Sequence, residues 1–254
     1  MAIRIEMKHS IKILNFLFLF TAGALCQAAS GNDSIILAVE NSWPPYADAN
    51  GSGISTEILK LALEAVDIKL IFKVYPYARV LNEVMKGTLV GGYNVTRQAS
   101  TEQQFLFGKQ PLLTASASFY FSSDNSLAKG YKSIADIPDG TTIGLIIDYE
   151  YGDEFEKHKH RFKQVRVPQQ RQIVSMLRAG RLNTAILFDA VATHTLTTMQ
   201  LEQTSLLKGP INHTSDIYVA FSRAHNLAEF YANKLDLGLQ KIKNNGEYQK
   251  LLQK

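Results

Sequence analysis

Residues 35–75 read IILAVENSWPPYADANGSGISTEILKLALEAVDIKLIFKVY. The run Ile35 to Val39 is short, wholly apolar and followed by turn formers, which predicts a buried strand. The loop Asn41 to Gly53 comes next. Ser55 then reads as a helix N-cap before Ile58, Leu59, Leu61, Ala62, Ala65 and Val66, which recur at helical spacing. Lys69 to Tyr75 alternates as a strand does. Strand, helix and strand in this order predict a parallel pair with its crossover helix.

The same pattern extends outward. Tyr77 to Met85 predicts a second helix ended by Gly87, and Leu89 to Val95 a third strand. Phe119, Tyr120 and Phe121 form an extended piece, and Ser126 to Gly140 is loop-rich with a helical turn around Ser133 to Asp136. A second unit follows. Its predicted strands are Thr142 to Ile147, Gln164 to Val167 and Ala185 to Phe188; its helices are Tyr151 to His158 and Gln169 to Ala179, the latter with Ile173, Val174 and Leu177 inward. A loop at Gly209 to Ser215, a strand at Ile217 to Phe221 and a long amphipathic helix carrying Leu227, Phe230, Leu235, Leu239 and Ile242 complete the chain. Periodicity thus predicts two α/β units.

Composition limits the function classes. With 46% apolar and 20% charged residues, the 254-residue chain is neither disordered nor a polytopic membrane protein. A single cysteine excludes an intramolecular disulfide framework and a zinc ribbon. The amino terminus differs from the rest: Arg4, Lys8 and Lys12 precede the apolar run Ile13 to Cys26, and CQAAS follows. A basic start, a short greasy centre and a small-residue exit read as a secretory signal over residues 1–28, too short to span a bilayer comfortably. The sequence before Cys26 does not fit a lipoprotein signal. Removing 28 of 254 residues leaves 226 and takes Cys26 with it; Arg4, Glu6, Lys8 and Lys12 carry a net +2 of the formal +4. The nearly neutral remainder offers no electrostatic case for nucleic acid.

WPPY at Trp43 to Tyr46, GSGISTEILKLALE after it, PYARVLNEVMKG at Pro76 to Gly87, IADIPDGTTIGLIIDYEYGDEF, AGRLNTAILFD and the closing NNGEYQKLLQK together resemble the extracellular solute-binding proteins of family 3, receptors of polar amino acid ABC uptake systems. The ordered run of weak motifs over about two hundred residues carries the resemblance. It implies an α/β type II periplasmic binding protein fold, two α/β lobes joined by two hinge strands. Lobe 1 would comprise residues 34–119 and 219–254, and lobe 2 residues 120–218. It implies a monomeric, non-enzymatic periplasmic protein without cofactor or metal. Its partners would be a small-molecule ligand and an inner-membrane ABC permease.

In open α/β lobes, ligands gather at the carboxyl ends of strands. That rule selects Trp43 and Tyr46, whose rings can sandwich a ligand or instead pack a proline-rich loop. It also selects Asn94, Thr96 and Arg97, the turn with Asp148, Tyr149 and Tyr151, and Asp189. The family pattern implies an Arg that clamps an α-carboxylate with two bonds, but the aligned position falls on Thr101 or Ala99. Arg97 either replaces it or is a solvated loop charge, and Arg79 is a second candidate or a surface residue. Asp189, after the run AILF, stands where the family acid receives an ammonium group, or it caps the next helix. Two tyrosines and two acids at Asp148 to Tyr151 replace the usual Gly and Thr groups, pointing to a different or larger ligand. His158 and His160 read as part of a solvated charged segment. Some exported proteins of this fold are dehydratases of cyclohexadienyl substrates, for which Glu150 or Asp148 would be the general acid. A stand-alone ligand sensor is a third reading.

Overall fold

A computed structural model describes residues 33–123 and 130–252; the predicted export signal and Cys26 lie outside the described residues. The first unit is β1 (Asp33–Glu40), α1 (Ile54–Glu64), β2 (Ile68–Tyr75), α2 (Tyr77–Met85) and β3 (Gly91–Thr96). Next, α3 (Ala99–Gln104) and β4 (Phe105–Phe107) lead to β5 (Leu113–Ser122). The second unit is β6 (Thr142–Ile146), α4 (Asp153–His158), β7 (Lys163–Val167), α5 (Gln170–Arg178), β8 (Thr184–Phe188) and α6 (Asp189–Thr198). The chain closes with β9 (Leu206–Ser222), α7 (Ala228–Asn244) and α8 (Glu247–Leu252).

The strands form one mixed sheet in the order β2-β1-β3-β9-β5-β8-β6-β7, with β4 also on β9. Two parallel triads stand at its ends. In the first, β1 pairs with β2 from Asp33 opposite Ile68 to Glu40 opposite Tyr75, and with β3 at Leu37 and Ala38. In the second, β6 lies parallel to both β7 and β8. Parallel neighbours require crossovers, and α1, α2, α4 and α5 supply them. Each crossover helix buries one stripe: Tyr77, Val80 and Val84 on α2, and Gln170, Ile173, Val174 and Leu177 on α5.

Between the triads, β9 runs antiparallel to β3 through Ile217 to Phe221 and to β5 through Leu206 to Ile217. The expected loop at Gly209 to Ser215 is therefore part of a 17-residue strand. Pro210 is tolerated because the register with β5 slips there, so a ladder donor is not required. Polar side chains tie the exposed stretch, as in Ser116 Oγ to Thr214 Oγ1 at 2.8 Å and Thr114 Oγ1 donating to Asp216 Oδ1 at 2.7 Å. The extended piece at Phe119 to Phe121 likewise grows into the ten-residue β5.

Other expectations are corrected at helix ends. Ser55 does not cap α1; it is buried in the first turn, and Gly53 precedes the helix without a side-chain cap. Gly53 has φ 146°, and a Cβ there would sit 2.3 Å from the Tyr46 carbonyl oxygen, so the loop closes onto α1 only with glycine. The helix expected from Tyr151 begins at Asp153. On α7, Leu227 and Phe230 are each 43% exposed, while Ala228, Tyr231, Ala232, Leu235, Leu239 and Ile242 are buried. Gly238 lets α7 approach α1, since a Cβ there would meet the Ala62 carbonyl oxygen at 1.9 Å.

Candidate functional site

The carboxyl ends of both triads converge on one place. From the first come Glu40 at the last position of β1, Trp43 in the following loop, Tyr77 at the first turn of α2, and Asn94 and Thr96 on β3. From the second come Tyr149 and Glu150 in the turn after β6, and Phe188 at the end of β8. Together they enclose a cavity of about 10 Å³, on the order of one water. A wider cleft of about 420 Å³ shares Tyr149 and Glu150 and runs outward past Asp148, Glu156 and Gln98.

Local structure explains how each group is aimed. The register of β3 with β9 shifts between Tyr93 and Val95, where Asn94 adopts φ 70°, a left-handed conformation that asparagine tolerates. Such a bulge re-aims its side chain. Asn94 is 5% exposed, and neither its Oδ1 nor its Nδ2 has a partner. Trp43 is held by its backbone, donating to the Ala47 carbonyl at 2.9 Å. Its ring stands 4.3 Å from Tyr46 and meets Phe188 edge-on at 5.1 Å, while its Nε1 is buried without a partner.

Three hydrogen bonds link residues following the first triad to residues following the second. Tyr149 Oη donates to Glu40 Oε2, Tyr77 Oη donates to Glu150 Oε2 at 2.6 Å, and Gly152 N donates to Gln98 Oε1 at 3.1 Å. The rings of Tyr77 and Tyr149 meet edge-on at 4.8 Å. Burial pushes the Glu40 carboxyl up to about 8; the Tyr149 bond opposes this and nearby Glu150 adds to it. Burial likewise raises Glu150 to about 8, against the Tyr77 bond and helped by Asp148 and Glu156. Glu40 is 2% exposed, whereas Glu150 keeps partial contact with solvent, so the burial effect is firmer at Glu40. Both tyrosine hydroxyls are raised, first by burial, and stay neutral donors. His213 on β9 lies 5.5 Å from Phe188; burial lowers it to about 4.

The structure thus brings Trp43, Asn94, Thr96 and Tyr149 together around the cavity, with Tyr46 stacked behind Trp43. Tyr151 is buried beneath, its hydroxyl accepting from Ile146 N at 2.6 Å. Asp148 lines only the outer cleft. Asp189, which begins α6, accepts from Tyr120 Oη at 3.0 Å and from Lys208 Nζ at 2.8 Å. Neither arginine lines the small cavity, but Arg97 lines a second cleft of about 510 Å³ together with Gln98, Gly152 and His213. Arg79 pairs with Glu83 at 3.5 Å on the surface of α2, and Arg97 pairs with Glu102 at 2.6 Å. Thr101 is buried and donates to the Thr96 carbonyl at 2.8 Å.

Glu40, Tyr77, Phe188 and His213 are site groups that residue-by-residue reading passed over. Glu40 directly follows the first apolar run, so the strand-end rule that selects Trp43 could have found it. His213 had no local signal because its strand read as a loop. Among the described residues, no group of three or more His, Cys, Asp or Glu is arranged to hold a metal, and no helix is long and apolar enough to cross a membrane.

Several solved structures share this architecture. A histidine kinase sensor domain with similarity to periplasmic binding proteins superposes with TM-score 0.73 at 16% identity, covering 86% of this chain and 93% of that one. An amino acid ABC transporter substrate-binding protein from Streptococcus pneumoniae, bound to L-arginine, gives 0.70 at 18% identity over 87% and 93%. The ancestral amino acid-binding protein AncCDT-1, a precursor of cyclohexadienyl dehydratase, gives 0.70 at 14% identity over 87% and 94%. These likenesses establish the type II periplasmic binding protein fold. No curated protein sequence matches the chain in pairwise comparison. The family profile of the bacterial extracellular solute-binding proteins, family 3, matches residues 35–254, and the chain belongs to that family.

Proposed function

We propose that this protein is an exported, monomeric solute receptor. Its lobe 1 (34–119 and 219–254) and lobe 2 (120–218) close on a small polar solute, which an inner-membrane ABC permease then receives. The observation that carries this reading is the enclosed cavity where two triads converge, fastened by three hydrogen bonds between them. Such bonds suit a hinge that closes on its ligand and opens to release it. The proposed lobe boundaries fall inside β5 and β9, the two strands that connect the triads and would serve as hinges. Family membership supports a binding role. The basic and apolar residues 1–28 support export to the periplasm, for which mass spectrometry of the exported protein should find a chain beginning at Ala29.

Differential scanning fluorimetry against amino acids, amines, opines and small peptides tests the reading. A bound solute should raise the melting temperature with the logarithm of its concentration over Kd. Absence of any shift across all classes would count against a receptor. A second reading, dehydration of a cyclohexadienyl substrate, draws support from Glu150, a carboxyl retained in its protonated form beside the cleft. Incubation with arogenate and prephenate should then give an aromatic product that E150Q does not form.

A further inference from the structure

Every charged side chain lining the enclosed cavity is acidic. Glu40 and Glu150 face it, and its remaining walls are Trp43, Tyr77, Tyr149, Phe188, Asn94 and Thr96. A zwitterionic amino acid needs a cationic or dense amide partner for its carboxylate. Here the arginine position of the family pattern falls on Thr101, which is committed to the Thr96 carbonyl, or on Ala99, and neither side chain is a cation. Arg97 is tied to Glu102, Lys208 to Asp189, and His213 is neutral at physiological pH. An ammonium group has the opposite experience. It finds two carboxyls and four aromatic rings, and aromatic faces attract cations once water is excluded. Asn94 adds an amide oxygen without a partner, set into the cavity by the bulge in β3. Asn94 Nδ2 and Trp43 Nε1 are buried donors without partners, which suits an uncharged oxygen on the same ligand.

We propose that the cleft takes a small organic cation: an amine or quaternary ammonium compound with no carboxylate of its own. Its body lies in the cleft of about 420 Å³ and its positive end at Glu40 and Glu150 among the rings of Trp43, Tyr77, Tyr149 and Phe188. The cavity there has room for only about one water until the two tyrosine hydroxyls are displaced. The proposal rests on the receptor reading and names the solute class for that site. The cation replaces the tyrosine hydroxyls as partner of the two carboxyls. The groups facing Glu40 are Tyr149 and Glu150; those facing Glu150 are Tyr77, Asp148 and Glu156; Tyr149 also faces Tyr151 and Gln170. None of these is a cation. Arrival of the ligand's positive charge therefore ionises the carboxyls, and binding releases protons.

Isothermal titration calorimetry on the purified exported protein tests this in two buffers of different protonation enthalpy. The panel is 1,4-diaminobutane, 2-aminoethanol and choline, against L-arginine, L-glutamate and maltose. The expected result is binding of one or more of the first three, with proton release at pH 7 and affinity rising between pH 6 and 8. E40Q and E150Q should each weaken binding on the order of 100-fold while keeping a cooperative melting transition. E229Q, on the exposed face of α7, should leave affinity unchanged. Tighter binding of the amino acids or the sugar, absence of proton release, or full affinity in both folded glutamine variants overturns the cation assignment while the receptor reading stands. If no compound of any class binds, both fail.

Discussion

Glu40 sits where a carboxyl is costly to ionise, and stability should record it. Its folded value of about 8 lies above the ordinary carboxylate value of 4.5. The folded state therefore holds a proton that the unfolded chain gives up between those values. The stability contributed is complete below about pH 4.5 and is lost as pH rises toward 8. His213 works from the other side: lowered from 6.5 to about 4, it contributes stability above pH 6.5 that is lost as pH falls through 4. Thermal melts of the ligand-free protein should thus decline between pH 6.5 and 8, and E40Q should flatten that decline by about 1–2 kcal/mol. An equally steep decline in E40Q would show that Glu40 is not its source. Asn94 separates binding from folding. Asn94→Gly keeps the left-handed backbone but removes the amide, so it should weaken solute binding about tenfold with a melting temperature near that of the parent. Asparagine there was selected from the sequence by its place at a strand end. Its bulge was not legible, because a register slip depends on the partner strand.

At the scale of elements, legibility followed locality. The strand Lys69 to Tyr75 and the helix Tyr77 to Met85 appear almost as their periodicity implies, since each pattern is satisfied by one adjacent face. Only Ile217 to Phe221 of β9 reads as a strand, because Gly209, Pro210 and polar residues fill the earlier stretch, whose pairing with β5 is set by a segment about ninety residues away. In the closing helix, Leu235, Leu239 and Ile242 are buried as the amphipathic pattern implies, while Leu227, just before α7, and Phe230 are exposed; Gly238 sets the close approach to α1 at Ala62. Gly238→Ala should push the two helices apart and cost about 1–3 kcal/mol or more, measured by urea unfolding. An unchanged midpoint would mean the helices have slack that the 1.9 Å contact denies. The arginines show the same limit at the site. Whether Arg97 points inward depended on Glu102, five residues on, which claims it at 2.6 Å.

For the whole molecule, the proposed closure is an equilibrium in which a few neutral hydrogen bonds oppose the entropy of opening. The Tyr149 to Glu40 and Tyr77 to Glu150 bonds contribute about 0.5–1.5 kcal/mol each. Removing both in Y77F/Y149F should shift the balance toward open forms by roughly tenfold. Small-angle X-ray scattering should record a larger radius of gyration for the double variant than for the parent, and an added solute should reduce it in the parent. Identical scattering curves would show that these bonds do not govern closure. The two parallel triads were readable from the repeated strand and helix pattern. The single sheet that unites the units was not, because it is made by β9.

That strand also dictates when the protein can fold. β3 obtains its second neighbour from residues 217–221, and α1 obtains its cover from α7 and α8, which end at Asn244 and Leu252. A ribosome delivers those residues last. The amino-terminal half, although nearly complete in its own β-α-β order, must wait for almost the whole polypeptide before its core closes. Under the proposed export, a chain threaded through a membrane while unstructured gains time from this wiring. A protein truncated before residue 217 should remain soluble only as long as a chaperone shields it, with the unpaired edge of β3 as the first place to aggregate.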